Sequence, residues 1–67
     1  MLQDALMLRD DEVEDVLGWV EQHGVGLTSW ELDFLASIRA QWDAREFLSE
    51  KQRSILERIA KERAGVD

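Results

Sequence analysis

Leu27-Thr28-Ser29-Trp30-Glu31-Leu32-Asp33-Phe34-Leu35-Ala36-Ser37-Ile38 is the stretch whose reading decides the fold. Thr28 followed three residues later by Glu31 has the form of a capping box, in which hydroxyl and carboxylate each satisfy a backbone N–H that a helix start leaves unpaired. Leu27 before the cap and Leu32 four residues after it are placed for a hydrophobic staple. Phe34, Leu35, Ile38 and Trp42 then recur at helical spacing and define the expected buried face. The spacing predicts a helix over about 29–43, ending near Asp43 or Ala44.

Ser49 and Gln52 repeat the device further along, with Leu48 just before the cap and an apolar stripe of Ile55, Leu56, Ile59 and Ala60. This predicts a helix over about 50–63, with Glu57 to Lys61 as an i, i+4 ion pair and Gly65 as a stop. Upstream, Val13, Val16, Leu17 and Val20 form an i, i+3, i+4, i+7 stripe. A helix over about 11–23 follows, with Asp10 or Asp11 as its cap, Glu12 and Glu14 suiting the dipole, and Gly24 as a left-handed stop. Leu2 and Leu6 continue the same face if residues 1–9 extend the helix, although Arg9 then lands on it.

There is no proline, no alternating β-branched run and no flexible linker. The expected fold is therefore all-α: one domain over 1–67, either a small three-helix bundle or a helical hairpin crossed by an N-terminal helix. At 67 residues the chain hides only about 60% of its unfolded surface, so idealised packing, a partner or a homo-oligomer has to supplement its core. No cysteine is present, which removes disulfides and thiolate metal sites. Met1 to Leu8 is apolar, but Asp4, the missing basic leader and the following Asp10-Asp11-Glu12 argue against a signal peptide and for a cytoplasmic setting. No window has the length of a membrane span.

Charge is divided unevenly. Residues 1–34 hold nine acids against Arg9, and residues 35–67 hold six acids against seven bases; −8 and +1 sum to the net −7. An acidic half repels nucleic acid and favours basic protein surfaces. The cluster Asp10, Asp11, Glu12, Glu14 and Asp15 is not a calcium loop, because the sixth position from Asp10 is Asp15 and from Asp11 is Val16, where glycine is required. One histidine, His23, has no nucleophile beside it in sequence, and no acid–base pair or phosphate-cradling loop exists, so no enzymatic activity, cofactor or metal is expected. Trp42 lies on the apolar stripe and belongs to the expected core, while Trp19 and Trp30 are the better candidates for partner contact. The third helix carries Lys51, Arg53, Arg58, Lys61 and Arg63 interspersed with Glu50, Glu57 and Glu62, which reads as a salt-bridged, solvated face.

The quoted stretch, together with Leu48-Ser49-Glu50-Lys51-Gln52 and Leu56-Glu57-Arg58-Ile59, resembles a short helical module of phage and bacterial DNA replication and recombination proteins. The resemblance covers half the chain, omits residues 1–24, and implies a setting near nucleic-acid machinery without assigning an activity. The expected function is accordingly a non-enzymatic protein-interaction module or small phage-type regulator, binding a basic surface through Asp10, Asp11, Glu12, Glu14, Asp15, Trp19 and Trp30. The alternative is a nucleic-acid-binding accessory domain that uses the basic residues of the third helix and an exposed tryptophan.

Overall fold

The computed structural model describes residues 8–65 and contains α1 (Asp10–His23), α2 (Ser29–Arg45) and α3 (Glu50–Arg63). No strand occurs among the described residues, and no described helix is long and apolar enough to cross a membrane. The proposed extension over residues 1–9 lies largely outside the described residues; at the boundary, Arg9 has extended backbone and α1 begins directly after it.

Both capping boxes form. Thr28 Oγ1 accepts from Glu31 N–H at 3.1 Å while Thr28 N–H donates to Glu31 Oε1 at 2.8 Å. Ser49 and Gln52 do the same at 3.1 and 2.8 Å. At α1 the cap differs from expectation. The N-cap is Arg9, whose side chain has no acceptor, so only the reciprocal half exists: Arg9 N–H donates to Glu12 Oε1 at 3.0 Å. Asp10 and Asp11 thus fall inside the first turn, where their charge still suits the dipole. Starting the helix at Asp10 also keeps Arg9 off the apolar stripe.

Val13, Leu17 and Val20 of α1 are fully buried against Leu35, Ile38 and Trp42 of α2 and Leu56, Ile59 and Ala60 of α3, with Leu48 completing the core. Phe34 and Ile55, expected at the core, are only partly buried at its edge. Leu32 is 53% exposed and takes no place in the core, so only the Leu27 side of the expected staple packs inward. Asp10 of α1 pairs with Arg53 of α3 near their starts, and Trp19 bonds to Ala64 near their ends, so these two helices run parallel. Gln41–Gln52 and Glu31–Arg63 pairings make α2 and α3 antiparallel. The result is an up-down-up bundle in which α1 leans mainly on α3.

The connections correct two further expectations. Gly24 is not left-handed (φ −66°); its glycine is required because a Cβ there would meet the Val20 carbonyl oxygen at 2.7 Å. The left-handed residue of that turn is Gly26 (φ +67°), next to Val25, whose N–H donates to the Arg63 carbonyl at 2.9 Å. α2 runs to Arg45, beyond the expected end, and stops at Glu46, which takes the left-handed conformation (φ 52°).

Candidate functional interface

Five carboxylates cluster in sequence at the start of α1, but the fold sends them to different tasks. Asp10 is ion-paired with Arg53, whose guanidinium also donates to the carbonyls of Leu8 (2.9 Å) and Leu48 (3.0 Å) and so ties the start of α1 to the start of α3. Glu12 caps the Arg9 N–H. Glu14 accepts from the indole N–H of buried Trp42 at 3.0 Å and faces Arg39 at 3.3 Å. Asp11 and Asp15 remain exposed and make no ion pair among the described residues.

Arg39 of α2 is the largest charge node. It meets Glu21 at 2.7 Å, Asp43 at 3.2 Å and Glu14 at 3.3 Å. Its basicity is raised, chiefly by the bonds to Glu21, with partial burial opposing and Asp43 adding to the rise. Arg63 similarly meets Glu31 at 3.2 Å. The Glu31 carboxyl is held below its ordinary value, first by the Thr28 backbone N–H and then, against slight burial, by Arg63. Three cations from the second half of the sequence therefore neutralise much of the acid in the first half. The charge asymmetry of the sequence is partly cancelled inside the molecule, and no spacing rule reveals these pairs because their partners lie 18 to 43 residues apart in all but one case.

Of the tryptophans, Trp42 is core at 7% exposure, while Trp19 (46%) and Trp30 (59%) are open to solvent. Trp19 donates its indole N–H to the Ala64 carbonyl at 2.8 Å and lies 3.9 Å from the His23 ring, centroid to centroid. This fixes the ring while leaving much of it accessible. Helical spacing places Glu12, Asp15 and Trp19 on one side of α1, with Asp11 next to them. Trp30 belongs to a different surface: it stacks on Phe34 of α2, rings nearly parallel at 5.3 Å. The residues expected to form one partner site are thus divided between two surfaces, and Glu14 and Asp10 are engaged within the bundle.

Val25, Leu32 and Phe47 are further exposed apolar side chains, and of these only Leu32 had an expected role, in the staple. Phe47 borders a shallow groove of about 720 Å³ with Leu8, Leu48 and Arg53. No group of three or more His, Cys, Asp or Glu able to hold a metal occurs among the described residues. Comparison with protein-family models, curated proteins and solved structures finds no match.

Proposed function

We propose that the chain is a non-enzymatic protein-interaction module, a small regulator that engages a basic surface on nucleic-acid-processing machinery through the outer face of α1. The observation that carries this reading is the pairing of two uncompensated carboxylates, Asp11 and Asp15, with a half-exposed and rigidly held Trp19. The carboxylates attract a basic partner over a range of about 8 Å at physiological salt, and a fixed indole adds desolvated contact area at little entropic cost. The nucleic-acid setting rests on the resemblance of residues 27–59 to the replication and recombination module.

The test leaves Asp10 and Glu14 untouched, because both hold the bundle together. Asp11→Lys with Asp15→Lys is expected to retain the helical circular dichroism signal, with stability lowered by about 1 kcal/mol through the loss of a first-turn carboxylate. In an affinity-tagged capture followed by mass spectrometry, the wild type should retain a basic protein that the double variant loses, with retention falling as salt rises. Equal capture by the variant would defeat the proposal.

A further inference from the structure

A second surface of opposite character runs along the outer seam between α2 and α3. On α2, Trp30, Phe34, Ser37, Gln41 and Arg45 recur at i, i+4, i+7, i+11 and i+15, which places them on one side of the helix. On α3, Lys51, Ile55, Arg58 and Glu62 share a side by the same spacing. The reciprocal amide bonds between Gln41 and Gln52, 3.0 Å each, bring the two sides together as one continuous face.

Two features distinguish this face. One end is apolar: Trp30 stands 59% exposed, stacked on Phe34, and Phe34 and Ile55 rest on the core with their outer edges uncovered. Toward the other end the face is cationic. Arg39, Arg53, Lys61 and Arg63 each have a carboxylate partner, whereas Arg45, Lys51 and Arg58 are exposed and make no ion pair among the described residues. All three stand on this face, against Glu62 alone among its acids. Arg9, just before α1, likewise makes no ion pair among the described residues. In a chain of net charge −7, uncompensated cations that continue an aromatic pair along one seam are complementary to a carboxylate-bearing ligand.

We propose that this seam is a docking surface for an amphipathic helix of a partner protein whose apolar stripe is flanked by carboxylates. The apolar stripe would cover Trp30, Phe34 and Ile55, and its flanking acids would meet Arg45, Lys51 and Arg58. From Trp30 to Arg45 the face is about 22 Å long at ~1.5 Å per residue, room for about four helical turns. A second copy of the chain fits poorly, since the apolar stripe of its acidic helix α1 is consumed by its own core. Single-stranded nucleic acid would use the same aromatic and basic groups, but it has no apolar stripe to lay on Ile55.

The proposal is independent of the α1 reading, and the experiment keeps them apart. Two labelled helix-forming peptides of about 18 residues are prepared, each with a leucine stripe at i, i+3, i+4 and i+7 spacing; one has glutamate flanks and the other lysine flanks. Fluorescence anisotropy against the full chain is expected to show the glutamate peptide binding at least tenfold tighter. Trp30→Ala and Lys51→Glu with Arg58→Glu should each weaken it at least tenfold with unchanged melting curves, and Asp11→Lys with Asp15→Lys should not weaken it. Equal or tighter binding of the lysine peptide, no binding of either, displacement by oligothymidylate, or indifference to the seam variants would each overturn the proposal.

Discussion

α1 and α2 each send an apolar stripe into the core but differ in what they leave outside it. In α1 the stripe of Val13, Leu17 and Val20 is narrow and fully buried, and most of the remaining surface is charged. In α2 apolar side chains point in several directions: Leu35, Ile38 and Trp42 enter the core, Phe34 is half covered, and Trp30 and Leu32 face solvent. A narrow stripe tells a helix which way to turn, whereas a broad apolar surface leaves that choice to its neighbours. α2 carries more apolar surface than a two-helix partner can cover. The surplus is the surface that the proposed partner helix would cover.

The largest test of this contrast is truncation. Leu17→Ala removes a side chain with no exposure and should cost about 2–5 kcal/mol in chemical denaturation. Trp30→Ala, although it deletes a larger group, should change stability by no more than about 0.5 kcal/mol. Comparable losses would mean that the α2 surface is structural.

The two helices are joined by Arg39, so its removal measures how strongly charge holds α1 to α2. Arg39→Ala leaves Glu14, Glu21 and Asp43 without their common cation and should destabilise by about 1–2 kcal/mol, an effect reduced in high salt. An effect independent of salt would point to packing by the arginine stem instead.

A smaller effect of opposite sign is expected at the end of α2. Glu46 is the one non-glycine residue with positive φ among the described residues, and that conformation crowds its Cβ. Glu46→Gly should raise stability by about 0.5–1 kcal/mol by relieving it, read as a higher melting temperature.

The smallest effect concerns the start of α2. The Glu31 carboxyl is depressed by the Thr28 N–H and by Arg63, so its stabilising contribution is complete above the ordinary carboxylate value of about 4.3. It is lost as pH falls through the lower folded value. The stability of wild type relative to Glu31→Gln should therefore be constant near neutrality and shrink only below about pH 4. A difference that disappears near pH 6 would exclude Glu31 as its source.

Local signals along the chain were enough to place the three helices. Capping boxes act between residues three apart, and stripes repeat every three or four, so Thr28–Glu31, Ser49–Gln52 and the Val13–Val20 stripe were legible without any knowledge of the fold. The Arg9 cap and the Gly24 backbone were not, because each depends on dihedral angles that several residue types can adopt. Contacts between helices set which charged groups stay uncompensated at the surface. The apolar stripe already marked Trp42 as core and Trp30 as outside it, but whether Asp10 or Asp11 finds a cation depends on which residues a distant helix brings alongside. Ion pairs such as Glu14–Arg39 and Asp10–Arg53 join residues 25 and 43 apart, distances over which an unfolded chain carries no register. Packing α1 on α3 withdrew Asp10 from the acidic cluster and packing it on α2 withdrew Glu14, which left Asp11 and Asp15 beside Trp19, while packing α2 on α3 brought Arg45, Lys51 and Arg58 to the opposite seam.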